Sequence, residues 1–287
     1  MREILVPWDS QPQEAAELAQ GTSLSQSLAF FSHAGQAQEL TSGRLPTTRN
    51  APPIPTEYGL AAQCATGRTN VEWDSTYIRT SNGVGSGDFT IAVLANPGAT
   101  GDGQIEHMFA QKNDAGGSPF AQAFLGAHAQ SAGAYLSGSV AFFTFAGSNS
   151  GVSSAGATDG AFHVWVGRRR GTTHEIIKDG VVIGTSVSTV RTITQASTRF
   201  VAIGSRGNGT SQGYRNEAVW AAGWDRAVDD AELQDMLGSR IWQLFAPRTQ
   251  YIPTASGVLV PTLGAPTFVP GSLTASGFRV RVPSTWA

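Results

Sequence analysis

The chain contains one cysteine, Cys64, in 287 residues. A single thiol cannot form a disulfide within the chain, and it excludes metal sites built on several cysteines. Its expected place is the core, as a small apolar side chain. Charge is also scarce. Asp, Glu, Lys and Arg make up 14% of the residues and the net charge is -2. That balance offers no basic footprint for nucleic acid. No apolar run approaches the ~18 residues needed to cross a bilayer, so membrane insertion is not expected. The opening "MREILVPWDSQPQEAA" lacks a charged segment followed by an apolar one. The expectation is a protein made in the cytoplasm, which leaves open where it works.

What is abundant is glycine, 34 residues, with many Ser and Thr, while 40% of the chain is hydrophobic. This composition favours short strands and turns around a real core. Residues 1–55 differ from the rest. "QPQEAAELAQ" has the composition of a short helix, "LAFFSHA" and "QELTSG" are strand-like, and Pro46, Pro52, Pro53 and Pro55 oppose regular pairing. The segment is read as an extended N-terminal arm that meets a partner.

Residues 56–250 alternate between strand-like runs and glycine-rich turns. In "GAFHVWVGRRR", Phe162, Val164 and Val166 fall on one face, and His163, Trp165 and Gly167 on the other. "THEIIKDGVVIGTS" predicts a hairpin closed by Asp179-Gly180 in a type I′ turn, where both central residues need positive φ. The many runs without βαβ alternation predict an all-β antiparallel β-sandwich or jelly roll. No repeat of 20–50 residues is present. One helix interrupts the pattern, in "GWDRAVDDAELQDMLGSR". Asp229 and Glu232 form a capping box, Leu233, Met236 and Leu237 share a face, and Gly238 suits the left-handed end. Two to three turns cannot survive unpacked, so this helix is expected to lie on the sandwich. Residues 251–287 hold a short β extension, with too few strands to fold alone.

The order of "GDFTIAVLANP", "GAFHVWVGRRRGTTHEIIKDGVVIGTS", "RFVAIGSRGN" and "EAVWAAGWDRAVDDAELQDML" resembles the laminin-G-like, concanavalin-type jelly rolls. The likeness covers about 57–250. "SRIWQLFAPRTQYIP" and "PTLGAPTFVPGSLTASGFRVRV" are similar to segments of bacteriophage virion proteins that carry this fold, and "EILVPWDSQPQEA" resembles their openings. The resemblance implies a structural role for His163 in its strand motif.

Such jelly rolls include sugar binders, calcium sites and glucanases. Glu72 and Asp74 stand two apart, as a glucanase pair would on one strand face, but "STYIRTSNG" lacks the further acid of that pattern. Calcium would need oxygen ligands from loops, for which Asp102, Asn113 and Asp114 are the candidates; turn chemistry also explains them. No other cofactor is expected. His33, His107, His128, His163 and His174 are scattered, with no ligand-spaced pair. "SRGNGTSQG" is not a phosphate loop, since no helix follows it. Arg168, Arg169 and Arg170 are the candidate contact for an acidic partner or an anionic polysaccharide; a solvated turn is the other reading. Trp73, Tyr77 and Tyr214 are candidate platforms for sugar rings, whereas Trp165 and Trp220 suit the core. The expected function is that of a non-enzymatic structural protein of a phage virion, located in the particle and attached to neighbouring virion subunits and to its own copies. The alternative is a carbohydrate-binding adhesion module for host surface glycans. Cleavage of a glycan would require Glu72 and Asp74 to act.

Overall fold

The computed structural model describes residues 16–19, 22–33, 39–41, 45–46, 48–49, 51–64, 71–73, 87–97, 105–112, 121–128, 138–145, 149–154, 158–187, 200–204, 216–247, 249–253 and 259–263. Two antiparallel sheets face each other as a β-sandwich. The larger runs β14 (Val181–Val187), β13 (Thr173–Lys178), β12 (His163–Arg170), β7 (Phe89–Ala95), β16 (Glu217–Trp224), β5 (Gly59–Gln63) and β4 (Pro53–Thr56). A further strand, β2 (Leu28–His33), pairs with the later part of β16. The second sheet runs β11 (Asn149–Ser154), β10 (Val140–Phe145), β9 (Ala121–His128), β8 (Ile105–Lys112), β15 (Phe200–Ile203), β6 (Val71–Trp73) and β3 (Thr48–Arg49). Two small pairs lie outside both sheets: β1 (Ala16–Leu18) with β17 (Phe245–Pro247), and β18 (Thr249–Pro253) with β19 (Leu259–Leu263).

The alternation read in β12 sorts two cores. Trp165 joins Ile91, Val93, Phe109, Leu125 and Phe142 between the sheets. Gly167 lies on that inner face because nothing larger fits. A Cβ there would stand 2.3 Å from a ring carbon of Phe142 in the opposite sheet. Val164 and Val166 face the other way, into a second core with Trp220, Trp224, Leu233, Met236, Ile241, Trp242 and Phe245. Each such large side chain contributes about 1.5–3 kcal/mol on leaving water, so neither layer is incidental. Cys64 is buried as expected, and burial, with the charge of Glu217 adding to it, pushes its thiol up to about 12.

The lone helix exists because the outer face of the larger sheet is too apolar to be left in water. α1 spans Asp230–Leu233 and continues as a tighter 3-10 turn over Gln234–Met236. The Glu232 half of the capping box forms, its carboxylate accepting the Asp229 N–H at 2.8 Å. Leu233 and Met236 are buried on the tryptophan layer, so the helix packs where expected. It is shorter than two to three α turns. Leu237 turns extended, with ψ 142°, and Gly238 takes the left-handed φ of 58° before a second 3-10 segment, Gly238–Leu244.

The N-terminal reading needs correction. Ala16–Leu18, expected in a short helix, is a strand held against Phe245–Pro247. "LAFFSH" is β2, and Phe30 and Phe31 are wholly buried in the two cores. Much of what reads as an arm is therefore part of the sandwich, because apolar burial outweighs the local proline and helix signals. The prolines do act, but at an edge. Gln63 donates its N–H to the Pro52 carbonyl at 2.9 Å, so bonded pairs fall at residues 52 and 54. Pro53 and Pro55 occupy the intervening outward positions of β4, where a strand edge tolerates a missing donor.

Candidate functional site

One end of the larger sheet gathers polar and aromatic groups from three segments. The hairpin β13–β14 turns at Asp179 (φ 49°) and Gly180 (φ 78°), as the type I′ reading requires. Gly180 is constrained by its φ. A Cβ there would lie 2.4 Å from Nε2 of Gln234, the flexible end of a long side chain that can move aside. The Asp179 carboxylate then locks the turn to the start of β12. Its Oδ1 accepts the Val164 N–H at 2.9 Å, and its Oδ2 lies 2.6 Å from Nδ1 of His163.

His163 bridges two acids. Its Nε2 is 2.9 Å from Oδ2 of Asp159, which also accepts from Nζ of Lys178 at 2.9 Å. Burial alone would raise the Asp159 pKa. Its bonds from Lys178, the Ala161 N–H and His163 outweigh that and hold it well below the usual carboxylate range. Asp159 and Asp179 remain 47% and 44% exposed, so each keeps lone pairs for a ligand. Lys178 extends over the Trp165 ring, with Nζ 5.3 Å from the centroid. Alongside, Tyr58 and Phe162 pair with ring centroids 5.4 Å apart, both half-buried. The Tyr58 hydroxyl has a raised pKa through burial, through the charge and hydrogen bond of Glu57, and through the charge of Asp179. The result is a rim of fixed carboxylates and one ammonium on the Trp165 side of the sheet end, with the Tyr58–Phe162 pair packed on the outer core and within reach of the Asp179 charge.

The three arginines expected to face a partner or solvent are mostly internal. Arg168 is 1% exposed; its Nε donates to Glu175 at 2.7 Å, and its Nη1 reaches Asp230 at 2.6 Å and the Val228 carbonyl at 2.8 Å. It clamps the start of α1 to the sheet. Arg169 is equally buried, on the inter-sheet side, where Nε donates to the Gly171 carbonyl at 3.0 Å. Only Arg170 is half exposed, 3.5 Å from Asp230. The physical reason is position. The run lies inside β12 between β7 and β13, so alternation sends its side chains into layers that sequence alone leaves open to water.

Of the remaining candidates, the two that are described, Glu72 and Trp73, lie in the second sheet. Trp73 ends β6 at the register position of the core residue Val201. Glu72 precedes it in β6, whereas Asp74, Tyr77, Tyr214, Asp102, Asn113 and Asp114 lie outside the described residues. Among the described residues no group of three or more His, Cys, Asp or Glu is placed to hold a metal ion. His33 and His107 are buried against Trp242 and Phe124, and His174 lies between the sheets, 2.9 Å from the Thr144 hydroxyl. Trp165 and Trp220 are core residues, and His163 lies between Asp159 and Asp179. Asp159 and Tyr58 escaped the sequence reading. Asp159-Gly160 is a turn signal four residues before His163, and that spacing was the available clue.

No known family pattern matches the chain, and no curated protein matches it. Solved structures do. The chain is similar to the binding domain of Paraclostridial Mosquitocidal Protein 1, at 8% identity and a TM-score of 0.54, over 83% of this chain and 67% of that one. It is similar to Trypanosoma rangeli sialidase at 13% identity and a TM-score of 0.52, over 76% of this chain. This chain covers about a third of the sialidase's length, 33%. The carbohydrate-binding module CBM40 of Ruminococcus gnavus IT-sialidase, bound to α2,3-sialyllactose, is matched over 62% of this chain at 13% identity, with a TM-score of 0.48 that is too low to carry an argument. The likeness is one of fold.

Proposed function

We propose that this protein is a non-catalytic carbohydrate-binding module and that the Asp159–His163–Asp179 rim touches the sugar. The observation behind this reading is that Asp159 and Asp179 are half exposed and immobilised, with the Tyr58–Phe162 pair near enough for the Asp179 charge to act on Tyr58. Sugar hydroxyls are bound by acceptors held in fixed directions, and the C–H faces of a sugar ring pack on aromatic rings. Because His163 and Lys178 already hold the carboxylates, little ordering entropy remains to be lost on binding. The fold likeness to a chain described as a binding domain is in keeping with the reading.

A glycan array probed with the full chain tests it, followed by titration of the best glycan against Asp159→Asn and Phe162→Ala. Saturable binding that weakens about tenfold in each variant is expected, the loss of about 1.4 kcal/mol that one good contact supplies. Absence of saturable binding to any glycan, or unchanged affinity in both variants, contradicts it.

A second reading is attachment within a phage particle, as a virion structural protein. It is favoured by the phage-like "SRIWQLFAPR", whose Ile241, Trp242 and Leu244 are buried anchors of the outer core. The two readings are compatible. Peptides of this chain in density-purified particles from a producing strain would support the second, and their absence would remove it.

A further inference from the structure

The two edges of the larger sheet are built in opposite ways. At one edge, β4 turns Pro53 and Pro55 outward, so its free side lacks two of the donors that an added strand would need. At the other edge, β14 reads "VVIGTSV", seven residues with no proline and no charge. Among the described residues no strand pairs with its far side. Its valines are unusually bare: Val181, Val182 and Val187 are 62%, 42% and 72% exposed. They are three of the four large hydrophobic side chains exposed among the described residues, the fourth being Leu45. The strand is nonetheless well anchored. Its Ile183 packs against the inner core, its Ile183 carbonyl accepts from Ser154 of the opposite sheet, and Gly184 approaches Val152 so closely that a Cβ would stand 3.0 Å away.

We propose that β14 is the interface of a two-fold dimer, in which it pairs antiparallel with the β14 of a second copy. Soluble proteins blunt long apolar edges with charge, proline, bulges or a cover; β14 has one bulge, at Ile183 between Val182 and Gly184, but no charge or proline, and among the described residues no strand covers it. The blocked edge decides the partner. Growth of identical chains edge to edge from β14 onto β4 would give open filaments, and the outward prolines of β4 oppose it. Pairing of β14 with itself is isologous and closes after two copies. With no charge on residues 181–187, two identical edges meet without repulsion, and valines from both copies bury one another. The proposal concerns a surface distinct from the sugar-binding rim and does not depend on the ligand.

The test is the mass of the full chain by sedimentation equilibrium. Wild-type protein is expected at twice the protomer mass. A Val182→Lys, Val187→Lys double variant and a Val182→Asp, Val187→Asp double variant are each expected to be monomeric, since two like charges on each copy then repel along the shared edge and replace the valines that would bury one another. Mixing the two is expected to restore the dimer as a one-to-one pair, which also shows that both variants are folded. Monomeric wild-type protein overturns the proposal. So does a dimer that survives in both double variants, or a mixture that stays monomeric.

Discussion

His174 shows how much one side chain can tell about the interior. It is wholly buried between the sheets, near the buried Arg169 and bonded to Thr144. Burial, with the arginine charge behind it, lowers its pKa from 6.5 to about 4. In the unfolded chain the ring takes a proton near pH 6.5, whereas in the folded protein it waits until about pH 4. The unfolded state therefore binds more protons across that window, and stability rises with pH through it. The group alone removes at most roughly 3 kcal/mol between pH 6.5 and 4. Urea denaturation at pH 7 and pH 4.5 should show a smaller loss in His174→Gln than in the wild type. An equal loss would mean that the ring is not held neutral. None of this was legible in the sequence, where His174 is one of five scattered histidines; burial between the sheets creates it, with Arg169 beside it in register adding to it.

At the level of elements, the docking of the short helix rests on Arg168. Its guanidinium ties β12 to Glu175 of β13 and to Asp230 at the start of α1, almost out of water. Removing it strands the partly buried Glu175 and leaves the Val228 carbonyl only its longer bond from Arg170, so Arg168→Met is expected to cost about 3 kcal/mol. Asp230 is 73% exposed, and Asp230→Ala is expected to cost under about 1 kcal/mol. Chemical denaturation of the two variants reads the difference; equal costs would place the arginine outside the load path. Local signals were readable here. Asp179-Gly180 and the Asp229–Glu232 cap act through backbone geometry within a few residues, and both stand where the sequence puts them; Gly238 has its left-handed φ, but it opens the next 3-10 segment after an extended Leu237 instead of ending the helix. The arginine run was misread because its environment is set by strands far away in sequence. A run at a strand end looks solvated until the layer above it is known.

Across the whole molecule, the all-β sandwich was legible because alternation and turn residues recur over most of the chain. The N-terminal boundary was not. Phe30 and Phe31 pack into the two cores, stacking on Phe109 and Trp220, contacts that no local pattern announces. A chain lacking residues 1–34 loses β2 and both rings. It is expected to aggregate or to lose its cooperative unfolding transition in calorimetry; a compact, cooperatively unfolding product would show that the segment is an accessory after all. The rim was half legible, since His163 and Asp179 stood out as motif residues while Asp159 and Tyr58 arrive from separate turns. The rim is proposed to hold sugar without breaking it. The most direct measurement is to incubate the full chain with its best array glycan, then record the bound fraction and the mass of the recovered glycan. Saturable binding with every glycan recovered at its starting mass is the result the account predicts. A glycan recovered shortened, in proportion to time and protein, would contradict it.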